Sequence, residues 1–147
     1  MPQSLSSVYL QVVFSTKGRA PVITDIYKPE LHAYLGGVLK NIGCQPLGIG
    51  GVEDHVHVLL RLGKQISISE LVQKLKMNSS SWAKSHAPEF GWQSGYGAVS
   101  FAHRDVPSLQ HYVNNQVEHH RTVSFQDEYR ELMREAGMEW NENYVWD

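Results

Sequence analysis

The sequence predicts an α+β fold of the ferredoxin-like (RRM-like) kind. Its expected order is βαββαβ, an antiparallel four-stranded sheet with two helices on one face, followed by two additional C-terminal helices. Three observations predict it. Four stretches have strand length and strand-like apolar patterning, at 8–15, 45–52, 55–62 and 98–103. Two stretches of helical period separate them in the order that the split βαβ arrangement requires. The 147-residue length suits one domain with a full core, and no repeat, low-complexity run or linker suggests a second. Residues 1–147 are therefore expected to form one domain, with terminal extensions at 1–7 and 138–147.

Each element has its own signal. Along the first strand Val8, Leu10, Val12 and Phe14 fall on one face and Tyr9, Gln11 and Val13 on the other. Gly18 and Pro21 end it, beside Lys17 and Arg19. Pro29 opens a helix in which Leu31, Tyr34, Leu35, Val38, Leu39 and Ile42 recur at helical spacing up to Gly43. Gln45 to Val52 is apolar but glycine-rich, which predicts a strand with a bulge or a close backbone approach. Glu53-Asp54 turns tightly into its hairpin partner, His55 to Leu62. Ser67 or Ser69 caps a second helix with Leu71, Val72, Leu75 and Trp82 as its stripe, ended by Pro88. Trp92 to Gly97 is a loop and Ala98 to His103 the fourth strand. Pro107 lies in the first turn of a third helix running to about His120, and Phe125 to Ala136 forms a fourth. The aromatic tail (Trp140, Tyr144, Trp146) is expected to dock.

Composition sets the broad class. The hydrophobic share of 41% and charged share of 19% are those of a soluble globular protein. Cys44 is the sole cysteine, which excludes an internal disulfide and a four-cysteine zinc site. The N-terminus lacks the pattern of a signal peptide, and no apolar run approaches the ~20 residues of a membrane span. A cytoplasmic protein without a membrane partner is expected. The net charge of −2 is unevenly placed: residues 118–147 hold eight acids against three arginines, leaving 1–117 at +3. A mildly basic body can bind a phosphate backbone locally.

Two constellations carry chemistry. His55-Val56-His57 places both imidazoles on one side of a strand, while Val56, Val58 and Leu60 point into a core. Paired imidazoles on a rigid, solvent-directed face suit a metal site, although two surface histidines also occur without function. On the third helix Tyr112 and Gln116 are four apart and share a face. A tyrosine, with a pKa of about 10, becomes a useful nucleophile when a cation polarises the electrophile. His55, His57 and the amide oxygen of Gln116 form a candidate ligand set for Mg²⁺ or Mn²⁺, which would also take Ni²⁺, Co²⁺ or Zn²⁺ in vitro. The alternative for Tyr112 is a half-buried helix tyrosine. His119 and His120, at a helix end, read as partners of its C-terminal dipole.

His55-Val56-His57 matches the HUH motif and, with Tyr112-x-x-x-Gln116, resembles the single-tyrosine HUH transposases of the insertion-sequence 200/605 family. Val12 to Lys17, Asp54, Trp92 to Tyr96 and Gln116-x-Glu118-His119-His120 look like that family too. The resemblance implies a DNA transposase that cuts single-stranded DNA, with hairpin ends of a mobile element as substrate. It implies Tyr112 as nucleophile forming a 5′-phosphotyrosine, His55, His57 and Gln116 as metal ligands, and a homodimer in which one subunit's tyrosine helix can complete its partner's histidine pair. Charge alone marks Lys17, Arg19, Lys74, Lys76 and Lys84 as candidates for DNA contact. A histidine-triad hydrolase would need a third alternating histidine where Leu59 stands. A relaxase or replication initiator would use the same chemistry, often with a second tyrosine or third histidine. A domesticated relative and a non-catalytic RNA-binding module of the same fold complete the alternatives.

Overall fold

A computed structural model describes residues 2–147. The strands are β1 (Tyr9–Ser15), β2 (Gln45–Val52), β3 (His55–Arg61) and β4 (Gly97–Phe101). The helices are α1 (Lys28–Asn41), α2 (Ile68–Ala83), α3 (Val106–Asn114), the single turn α4 (Gln116–His119) and α5 (Phe125–Glu135). Antiparallel pairing orders the sheet β2-β3-β1-β4, so the expected α+β, ferredoxin-like arrangement is present. Its glycine-rich strand is irregular where expected, with a register shift between Pro46 and Gly48.

Alternation along β1 and β3 directs Leu10, Val12, Phe14, Val56, Val58 and Leu60 to one face, where α1 and α2 cover them with Leu31, Leu35, Leu39, Leu71 and Leu75. Ser67 caps α2, its hydroxyl accepting from the Glu70 N–H. The helix stops at Ala83, earlier than Pro88 suggested, because the chain turns through Lys84–His86 with backbone bonds back to Ser80, Trp82 and Ala83.

The opposite face differs from the expectation of a solvent-directed surface. Phe125, Tyr129 and Met133 recur every four residues on α5 and pack on Val13, with Val99, Trp140, Val145 and Trp146 around them. This second core buries His55 and His57 completely, each at 0% exposure. Trp140 and Trp146 dock as expected, while Tyr144 stays exposed.

The third helix is also shorter than its sequence suggested. Asn115, with φ −105° and ψ 22°, separates α3 from α4. Asparagine is a weak helix former, and here the chain re-aims before Gln116. α3 lies directly on β2 at Gly50, where a Cβ would overlap the Val113 carbonyl oxygen. Gly50 pairs with His57 across the β2–β3 ladder. Among the described residues no helix is long and apolar enough to cross a membrane.

Candidate metal and nucleophile site

β3 presents His55 and His57 side by side, their rings 5.1 Å apart. Tyr112 of α3 meets His57 edge-on at 5.7 Å, so one chain brings its own tyrosine to its own histidine pair. Gln116, buried on α4, places Oε1 3.0 Å from His55 Nε2. The four residues singled out for catalysis and metal ligation are therefore neighbours in space.

Two further side chains complete the cluster. Glu128, buried on α5, points its Oε1 at His57 Nε2 (2.9 Å) and His120 Nε2 (2.9 Å) and stands 3.5 Å from His55 Nε2. Its other oxygen, Oε2, accepts the Tyr112 hydroxyl and the Gln116 amide N–H (3.2 Å) and lies 3.2 Å from His119 Nε2. His120, read from sequence as a dipole partner, instead turns inward, 2.9 Å from Gln116 Oε1. Helical phase would have found Glu128, since it shares a face with Phe125, Tyr129, Leu132 and Met133. Gln11 could have been found from its phase on β1, since it shares a face with Val13, which pairs with His57.

The outer contacts of the imidazoles fix their protons. His55 Nδ1 meets Asp54 Oδ1 at 2.8 Å, His57 Nδ1 meets Gln11 Oε1 at 2.8 Å, and His120 Nδ1 meets the Val123 carbonyl at 2.6 Å. All three partners are acceptors, so each Nδ1 donates outward, and a ring without a second proton turns an Nε2 lone pair inward. Those lone pairs converge on the carboxylate oxygen of Glu128 and the amide oxygen of Gln116, which are acceptors too. Such a gathering demands positive charge at its centre. Without an ion, a proton supplies it: burial opposes charging His55, yet hydrogen bonds to Asp54 and Glu128 push its pKa up to about 9. Burial keeps His57 low. For Glu128, burial favours the neutral acid, but bonds from His120, His55 and His57 outweigh it and hold the carboxyl well below its usual range. Ligand atoms of His55, His57, His120 and Glu128 all lie within 4.8 Å of one another, so the donor set fits a metal ion.

Tyr112 is only partly buried. Burial first, then the charge and hydrogen bonding of Glu128, raise its phenol pKa above the ordinary value. A cavity of about 400 Å³ borders Tyr112, Gln11, His119 and Glu128. The acids Asp127, Glu131 and Glu135 also line it, so a phosphate entering there needs a cation beside it.

The cations expected from sequence fall into two groups. Lys17, exposed, and Arg19, half-buried, sit just past Ser15, which pairs with His55. Lys74 and Lys84 are exposed on or beside α2, across the sheet from the histidines. Lys76 commits its ammonium to the carbonyls of Gln93 (2.8 Å), Ser94 (3.2 Å) and Gly95 (2.6 Å), pinning the loop before β4.

A sequence profile of the family described as "Transposase IS200 like" matches residues 4–116. No curated protein matches the chain. Among solved structures, a protein of Deinococcus radiodurans R1, described as a candidate transposase, superposes with a TM-score of 0.64 at 22% identity, covering 79% of this chain and 95% of its own. A REP-associated tyrosine transposase bound to a REP hairpin superposes with a TM-score of 0.57 at 10% identity, covering 77% and 68% respectively. Both likenesses are of fold.

Proposed function

The chain belongs to the IS200-like transposase family, and from that premise we propose that it cuts and rejoins single-stranded DNA at the ends of a mobile element, through a 5′-phosphotyrosine on Tyr112. The observation that carries this reading is the meeting of a tyrosine hydroxyl and an ion-ready histidine pair within one chain. A hairpin-bearing DNA strand is the substrate class we propose, in keeping with the hairpin bound by one structural neighbour.

Tyr112 is poorly ionised by itself, because burial and Glu128 hold its proton on. The proton would leave along the hydrogen bond to Glu128 Oε2 only as the phenol oxygen bonds to phosphorus, when the forming bond makes the hydroxyl strongly acidic. As the phenol oxygen bonds to phosphorus, the bond from phosphorus to the 3′-oxygen breaks, and that oxygen takes up a proton to become a 3′-hydroxyl. The reverse step, with another strand's 3′-hydroxyl, rejoins DNA without an external energy source. A divalent ion held by His55, His57 and Gln116 would draw charge from the phosphate oxygens. Lys17 and Arg19, at the histidine end of β1, are the best placed of the proposed DNA contacts; Lys74, Lys76 and Lys84 would serve a strand that passes around α2.

His120 supplies the third histidine expected of relaxases and replication initiators, and that feature favours their chemistry as a second reading. The family match favours transposition. An RRM-like role is disfavoured because the sheet face that would stack bases lies under α5, with Leu59 and His57 fully buried. A labelled pool of single-stranded oligonucleotides with Mn²⁺ should yield a protein–DNA adduct that disappears in Tyr112→Phe. An adduct that persists in that variant would place the nucleophile elsewhere.

A further inference from the structure

His120 and Glu128 lie beyond residue 116, where the family match ends, yet both reach the point on which His55, His57 and Gln116 converge. We infer that one first-row transition ion is bound by all five side chains, and that it fastens α5 to the sheet. The inference deepens the metal part of the proposed function and rests on that reading.

Three features carry it. Each imidazole has its Nδ1 tied to an acceptor outside the cluster, on Asp54, Gln11 and Val123, the outer arrangement that orients metal-bound histidines. Glu128 divides its oxygens: Oε2 is engaged by Tyr112, Gln116 and His119, while Oε1 faces the three Nε2 atoms. The donors come from separate elements, two from β3, two from the start and end of the α4 turn, and one from α5. An ion that joins them therefore binds the assembled chain in preference to one with α5 detached, and stabilises the docked helix.

Three imidazole nitrogens with two oxygens favour Mn²⁺, Co²⁺ or Zn²⁺ over Mg²⁺, which prefers oxygen donors and retains waters. With five protein donors, a six-coordinate ion would keep one position for a phosphate oxygen. In the set His55, His57 and Gln116 alone, more positions would remain open.

Chelator-stripped protein titrated with Co²⁺, without DNA, tests the assignment by visible absorption and calorimetry. One Co²⁺ per chain is expected, bound at least about tenfold more weakly by Glu128→Gln and by His120→Asn, and not displaced by excess Mg²⁺. Amide exchange across α5 should slow on adding Co²⁺ to the wild-type chain, and not in Glu128→Gln. Wild-type affinity in both variants, or ready displacement by Mg²⁺, would overturn the inference. Should His120→Asn fail to fold, as its metal-free melting would reveal, Glu128→Gln decides alone. Tyr112→Phe should bind Co²⁺ normally. Loss of the DNA adduct with Co²⁺ binding intact separates the nucleophile from the ion site.

Discussion

At the scale of single residues, the buried histidines make predictions that surface histidines would not. His57 has 0% exposure and joins Gln11 on β1 to Glu128 on α5. His57→Ala strands two buried polar partners, so we expect a loss of about 2–4 kcal/mol, read from the urea midpoint. His32 titrates in the opposite sense to His55. Burial, aided by Lys28, pushes its pKa down to about 4, and its Nε2 has no hydrogen-bond partner among the described residues. An unfolded histidine, with a pKa of about 6.5, binds a proton between pH 4 and 6.5 that the folded one refuses. The His32 contribution is thus fully present above that window and is lost as pH falls through it, by at most about 3 kcal/mol. His32→Gln should flatten the dependence of melting temperature on pH between 6.5 and 4; an unchanged slope would assign it to other groups.

At the scale of elements, what was legible depended on whether a periodic pattern had a visible partner. Period two revealed β1 and β3, and the four-residue spacing of Tyr112 and Gln116 put both at the site even though the helix breaks between them at Asn115. The burial of His55 and His57 was not legible from β3, because a strand does not announce what covers its second face. That information sat in α5, whose acids on the outer turns hide the stripe of Phe125, Tyr129 and Met133. Glu128 was obscured for the same reason, one acid among several until its phase is considered. Phe125 stacks on His55 at 4.4 Å and contacts Tyr129. Phe125→Ala should cost about 3–5 kcal/mol and speed amide exchange throughout α5, measured by mass spectrometry.

At the scale of the whole molecule, charge and architecture divide at the same place. The segment 118–147, net −5, folds back over a body of net +3, and its Glu128 sits among histidines contributed by β3 and the end of α4. The basic character of the body is therefore partly masked when residues 1–147 are counted together, at a net charge of −2. Because Tyr112 meets its own chain's histidines, a second copy is not required to assemble a site. We nonetheless expect a homodimer, since a mobile element has two ends to be joined; sedimentation should give twice the 16.7 kDa chain mass. A monomer at working concentrations would leave each chain to handle its ends in turn.

The missing methyl of Gly50 acts as a gauge block. Gly50 is paired with His57 on one side and pressed against the Val113 carbonyl on the other, next to Tyr112 in the chain. The separation between Tyr112 and the histidine strand is thereby set by bare backbone thickness. Gly50→Ala adds no reactive group, but its Cβ would force the helix to retreat until the Val113 carbonyl stood at an ordinary van der Waals distance. A displacement of about 1 Å can slow a positioned reaction about 100-fold. The variant should bind Co²⁺ through its unchanged ligands while forming the tyrosine adduct far more slowly, so that tolerance for thickness at one glycine becomes a direct measure of how closely the chemistry is registered.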